Sequence, residues 1–128
     1  MKWYYLSHPY TGDEEKNKEE AAEIHRKLQE LHPDVLFLNP LAAFDPLADM
    51  PYEQVMEYCI EMLIACDSVV MSGNYKESRG CMVELKAAQE QGMLVRYCTS
   101  AGELSILPEF RQSHVVSGTW EEYGKGGK

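Results

Sequence analysis

Residues 67–91, DSVVMSGNYKESRGCMVELKAAQEQ, constrain the fold of this chain more than any other stretch. They open with the short apolar run Ser68-Val69-Val70-Met71, which suits a parallel strand buried on both faces. Ser72-Gly73-Asn74 interrupts the run as a loop does. Ser78 is placed to cap a helix over about 79–91, and Gly92 to stop it. Along that helix Cys81, Leu85 and Ala88 recur at helical spacing and predict the inward stripe. Glu84 falls inside the stripe, and a carboxylate turned toward a core needs a partner or a ligand. Gly80 lies one turn earlier on the same face and carries no side chain. Helical side chains lean toward the N-terminus, so the Glu84 carboxylate is expected over Gly80, beside the loop after the strand, with room for a ligand. Two readings stay open. Either Glu84 faces a ligand, or it is hydrogen-bonded within the domain or turned outward on a rotated helix.

Residues 2–6 read as the first strand, with Trp3, Tyr4 and Tyr5 in succession, ending at Ser7-His8-Pro9-Tyr10. Thr11 and Glu14 offer a capping box. The helix that follows sets Ala21, Ile24, His25, Leu28 and Leu31 on one face. Residues 35–38 form the second strand, ending at Asn39-Pro40. The connection beyond it, through Phe44, Asp45, Pro46 and Asp49, is long enough to be a functional lid. The alternative is a surface loop pinned by Leu41, Phe44 and Leu47. Pro51 opens a helix that turns Tyr52, Val55, Met56, Cys59, Ile60 and Leu63 inward. Residues 60–66 are apolar nearly all round and predict a deeply buried helix end. Residues 93–98 form the fourth strand, ending at Thr99-Ser100. Residues 104–110 suggest a short helix broken by Pro108, and His114-Val115-Val116-Ser117 a fifth, edge strand. Residues 1–118 are read as one domain and 119–128 as a flexible tail.

Strands alternating with helices predict an α/β fold with a parallel sheet covered on both faces. Such sheets bind ligands at the carboxyl ends of their strands. Here those ends are Ser7-His8-Pro9-Tyr10, Asn39-Pro40, Ser72-Gly73-Asn74 and Thr99-Ser100, all polar or turn-forming. Glu84 leans toward the same rim. Neither G-x-G-x-x-G nor G-x-x-x-x-G-K-[ST] is present, so a dinucleotide-binding domain or a P-loop enzyme is not expected, and no cofactor is.

A net charge of −9 argues against a nucleic acid polymer as partner, which needs a basic footprint. It leaves open a small nucleotide held by local groups. Cys59, Cys66, Cys81 and Cys98 sit in apolar segments without C-x-x-C spacing, and read as reduced, buried thiols of a cytoplasmic protein. No His/Cys cluster has metal-ligand spacing, so no metal is expected. No run approaches membrane-spanning length, and the N-terminal segment is too short for a signal peptide. Cys81, near a helix N-terminus, is either an activated nucleophile or, by its place on the inward stripe, a buried thiol.

Four segments together resemble the nucleoside 2-deoxyribosyltransferase-like superfamily. They are Tyr5-Leu6-Ser7-His8-Pro9-Tyr10, Cys66-Asp67-Ser68-Val69-Val70, Ser78-Arg79-Gly80-Cys81-Met82-Val83-Glu84 and the strand after Gly92. The likeness covers residues 2–98 and is strongest to uncharacterised bacterial and phage members. It extends to the nucleoside 5′-monophosphate N-glycosidases. It implies a flavodoxin-like three-layer sandwich with four to five parallel strands in the order 2-1-3-4-5. It also implies a small-molecule nucleoside or nucleotide as ligand, and a homo-oligomer, a dimer or higher.

By the same resemblance, Glu84 matches a nucleophilic glutamate that attacks the sugar C1′. Tyr5 matches a strand-one tyrosine beside it. Ser78 and the Gly80 backbone match the loop that holds the sugar 5′ end or a 5′-phosphate, and a helix N-terminus with Ser78 and Arg79 can hold a phosphate, which favours a nucleotide over a nucleoside. His8 and Tyr10 lie in a loop contacting base or sugar, with Ser7 and Pro9 beside them as candidate binding residues, and Asn39 lies roughly where a base- or sugar-contacting residue follows strand two. Ser72, Gly73 and Asn74 complete the candidate rim. An oxocarbenium-like state is stabilised, and can be trapped, by a carboxylate. Water then makes the enzyme a hydrolase, and a second base makes it a transferase. One departure stands out. Where the family places an Asp in the helix before strand three, this chain has Cys59, while Asp67 opens the strand at the opposite end of the sheet and reads as structural. A non-catalytic nucleotide-binding or signalling module is therefore the alternative function, and a redox or acyl enzyme built on Cys81 a third.

Overall fold

A computed structural model describes residues 1–98 and 103–106. The chain runs β1 (Lys2–Ser7), α1 (Glu14–Leu31), β2 (Val35–Leu38), a short α2 (Pro40–Ala43) and a 3-10 turn (Asp45–Leu47). It continues with α3 (Tyr52–Ile64), β3 (Ser68–Met71), a second 3-10 turn (Tyr75–Glu77), α4 (Arg79–Glu90), β4 (Leu94–Cys98) and β5 (Leu104–Ile106). The sheet order is β2-β1-β3-β4-β5.

The first four strands are parallel, in the expected order. The fifth is not. Leu104–Ile106 is a strand rather than the expected helix start, and it pairs antiparallel with β4, Tyr97 opposite Ser105. Only residues 99–103 separate the two strands, too few for the crossover of about a dozen residues that parallel pairing requires. The rest of the 104–110 helix, the strand expected at His114-Val115-Val116-Ser117, the strand end Thr99-Ser100 and the tail at 119–128 lie outside the described residues.

Alternation along the strands divides the core in two. On one face Tyr5, Val69, Met71 and Val95 meet Cys59 and Leu63 of α3 and Cys81, Leu85 and Ala88 of α4. On the other, Leu6, Val70 and Phe37 meet Leu28 of α1. β3 is buried along its whole length, as a central parallel strand must be. Its start is fastened to β1 through Asp67, whose Oδ2 accepts from the Trp3 amide at 2.8 Å while its own amide donates to Trp3 O. Asp67 thus ties strands together at the end opposite the polar rim, as its position in the sequence implies.

Helix ends follow local chemistry. Ser78 caps α4, accepting from the Cys81 amide, and Gly92 takes a positive φ of 69° just past the helix. The capping box expected from Thr11 is not used. Asp13 is the N-cap of α1, accepting from the Lys16 amide, and Glu14 turns back to the Gly12 amide. Two apolar stretches are less buried than their composition suggests. Leu31 is 56% exposed at the end of α1, and Ile64 is 41% exposed although Leu63 beside it is fully buried. A helix laid on a sheet buries one stripe, so a run that is apolar all round still leaves a face outside. No helix among the described residues is long and apolar enough to cross a membrane.

Candidate active site

Tyr5 and Ser7 are two positions apart on β1 and therefore project from the same face. Both reach α4. The Tyr5 hydroxyl donates to Glu84 Oε2 at 2.5 Å, and the Ser7 hydroxyl donates to Glu84 Oε1 at 2.7 Å. Glu84 is buried, and no cation pairs with it among the ion pairs of the described residues. Burial pushes its carboxyl up to about 7, against the pull of the two hydroxyl donors. Near neutrality the group is thus divided between carboxylate and acid. Tyr5 is itself held well above the usual phenol range, by burial first and then by the charge of Glu84, and so remains a donor.

Glu84 also borders a cavity of about 180 Å³. A single water needs roughly 10–15 Å³ of such space, so a molecule of many heavy atoms fits. The cavity lies over the carboxyl ends of β1 and β2. Its floor is Glu84, Gly80 and Ser78 of the α4 segment, and His8, Tyr10 and Thr11 close one side. Leu41, Phe44 and Asp45 from the connection after β2 form a wall, and Tyr52, Val55, Met56 and Cys59 of α3 form the wall opposite. Gly80 is needed for this closure. A Cβ there would stand 3.3 Å from the Tyr52 hydroxyl oxygen and 3.7 Å from Met56 Sδ. The missing side chain admits the tip of Tyr52 as well as leaving space above Glu84.

Of the residues expected at the rim, His8, Tyr10, Ser78, Gly80 and Glu84 border the cavity. Tyr5 and Ser7 act from behind, through Glu84. The others do different work. The Asn39 side chain is buried and caps α2, accepting from the Leu41 amide. Pro9 and Asn74 are not among the lining residues. Ser72 donates to Ser7 O at 2.8 Å and meets His8 Nδ1 at 2.9 Å, so it braces the loop after β1 from beneath. Gly73 has φ 62°, and a Cβ there would lie 2.9 Å from His8 Cε1; its bareness lets the imidazole close on the strand end. The outer nitrogen of that ring, Nε2, faces Glu20 Oε1 at 3.3 Å. Burial lowers the His8 pKa, more than Glu20 raises it, which keeps the ring neutral at neutral pH.

Arg79 departs most from expectation. Its guanidinium lies over the outer face of the Tyr52 ring and reaches Glu53 at 3.5 Å, with the side chain 73% exposed, and it does not line the cavity. An arginine at the first turn of a helix has its stem outside the inward stripe, and the acid on α3 draws the head further out.

The lining that sequence reasoning assigned elsewhere comes mostly from α3. Tyr52, Val55, Met56 and Cys59 share the inward stripe of that helix, where Cys59 and Leu63 are buried in the core and Val55 packs against it. These four also wall the cavity. The signal was present in the length of the stripe, which exceeds what a four-residue strand covers. Cys59 touches the Tyr5 side of the Glu84 cluster, and burial, with the charge of Glu84, pushes its thiol up to about 11. Cys81 is likewise buried and raised to about 11, so it stays protonated and is a poor nucleophile. Among the described residues no group of His, Cys, Asp and Glu side chains has the arrangement to hold a metal ion.

No curated protein and no solved structure matches the chain. The profile of one protein family, a domain of unknown function (DUF4406), matches residues 2–97, from β1 to within β4 and including every residue of the cavity just described. The chain belongs to the DUF4406 family.

Proposed function

We propose that this chain acts on the N-glycosidic bond of a small nucleoside or nucleotide, with Glu84 as nucleophile. The observation that carries the reading is the Glu84 carboxylate itself. It is buried, held by two hydroxyl donors, without a cationic partner among the ion pairs of the described residues, and open on one side to a cavity. A carboxylate so placed can attack an anomeric carbon as the base departs, because it meets developing positive charge with little water to screen it. Tyr5 and Ser7 orient the two oxygens, and with a pKa of about 7 the group is available both as an anion and, after attack, as a leaving carboxylate. The resemblance to the nucleoside 2-deoxyribosyltransferase-like superfamily supports the same roles for Glu84 and Tyr5, and a flavodoxin-like arrangement that agrees with the observed strand order.

The test is base release, or base exchange when a second free base is supplied, from a panel of deoxynucleosides and their monophosphates. Release that disappears in Glu84→Gln and Glu84→Ala is expected. Release that persists unchanged in both removes Glu84 from the chemistry and ends the proposal.

A second reading is favoured by Cys59. The resemblance implies an Asp at that position for handling the proton of the leaving base, and a thiol held protonated to about pH 11 is a weak substitute. A non-catalytic nucleotide-binding or signalling module would use the same cavity without turnover. It predicts ligand-induced thermal stabilisation with no base released.

A further inference from the structure

Granting a glycosidic substrate at Glu84, the charges around the cavity select among its forms. Among the described residues that line it there is neither a lysine nor an arginine. Its acids are Asp45 and Glu84, and its one histidine, His8, is kept neutral by burial at neutral pH. Among the described residues, two cations beside the lining are already engaged. Arg79 lies outside the wall, against Tyr52 and Glu53. Lys18 is held at 2.8 Å by Glu15 and at 3.0 Å by Asp45. At the start of α4, where a phosphate is commonly held, the Cys81 and Met82 amides are bound to Ser78, and the Arg79 side chain that would reinforce the first two amides is turned away to Glu53.

A phosphate monoester carries between one and two negative charges at neutral pH and is normally met by arginine, lysine or several free amides. In this cavity it would lose water, gain no lysine or arginine from the described lining, and face Glu84 and an Asp45 already paired with Lys18. The remaining walls, Leu41, Phe44, Val55 and Met56, are apolar and match the uncharged flat face of a base rather than a phosphoryl group. We propose that the substrate of this site is an uncharged nucleoside, and that the matching 5′-phosphate is excluded. This rests on the glycosidic reading above and narrows it.

The experiment compares the common deoxynucleosides with their 5′-monophosphates on the intact chain. Affinity is read by calorimetry and base release by chromatography. The expected result is a preference for the nucleoside of roughly tenfold or more in Kd or kcat/KM. In Asp45→Lys, which replaces one of the two acids with a cation, the gap is expected to narrow several-fold. Equal or better use of the monophosphate, with release abolished in Glu84→Gln, overturns the inference and leaves the glycosidic reading standing. A gap that Asp45→Lys leaves unchanged also counts against it. Neither binding nor release with any member of either series overturns both.

Discussion

The Tyr5 hydroxyl donates to Glu84 Oε2 across 2.5 Å and 79 positions of sequence, joining the middle of β1 to the second turn of α4. Both side chains are buried, so each sets the other's protonation. The phenol stays neutral because burial and the adjacent acid both oppose its ionisation. The acid is pulled down by the phenol and pushed up further by its own burial. Glu84 is thereby prepared for chemistry near neutral pH by neighbours on a single strand.

Tyr5→Phe removes the donor and leaves the buried carboxylate with Ser7 alone. The Glu84 pKa is expected to rise above its value of about 7, and the chain to lose about 1–3 kcal/mol of stability at pH values where Glu84 is ionised. NMR titration of the side-chain carboxyl carbon reads the first effect and denaturant unfolding the second. An unshifted titration would show that the Tyr5 bond does not hold the anion.

Stability should fall as pH rises from about 4.5 to about 7. The folded pKa of Glu84, about 7, exceeds the ordinary 4.5, so the folded chain holds this proton more tightly than the unfolded chain. Its contribution is fully present below about 4.5 and is lost as pH climbs through the folded value, a change of at most about 3 kcal/mol. Glu84→Gln abolishes this dependence. Unfolding curves at acidic and mildly alkaline pH, compared between the two proteins, measure it directly.

Gly73→Ala should cost about 1–3 kcal/mol, because the backbone there has φ 62° and the new methyl group meets the His8 ring. The His8 imidazole is expected to leave Ser72, seen as a changed ring-nitrogen shift by NMR. Asn74→Ala, on an exposed side chain that caps nothing, should change neither stability nor the His8 signal.

If proton handling is the weak half of the chemistry, Cys59→Asp is expected to raise base release by roughly 100-fold, the lower end of the usual range of general-acid effects. Cys59→Ser, which keeps size without acidity, should leave the rate near that of the parent. Rates measured across pH would show a new acidic limb only in the Asp variant.

Most of what the sequence made legible came from periodicity. The stripe Cys81, Leu85, Ala88 did turn Glu84 inward, β3 did read as a strand buried throughout, and Ser78 with Gly92 did bound α4 nearly to the residue. What escaped was decided by neighbours distant in sequence. Arg79 was expected at a ligand, but Glu53 on α3 holds it outside. Asn39, Ser72 and Gly73 have the residue types of a binding rim, yet Asn39 satisfies a helix start and the other two seat His8. Residue type announces a capacity for hydrogen bonding. It does not say whether backbone or ligand claims it first. The direction of β5 followed from chain length alone, since residues 99–103 cannot carry a crossover, and the helical reading of 104–110 overlooked that count.

Because Tyr5 and Ser7 share one face of β1 while Leu6 takes the other, the geometry at Glu84 and the pairing of the sheet are a single inheritance. Sliding β1 by one position would carry both hydroxyls to the α1 side and press Leu6 against the acid. Evolution along this chain can therefore retune the walls above Glu84 residue by residue, but it cannot loosen the acid's two anchors without also unfastening the central pair of strands.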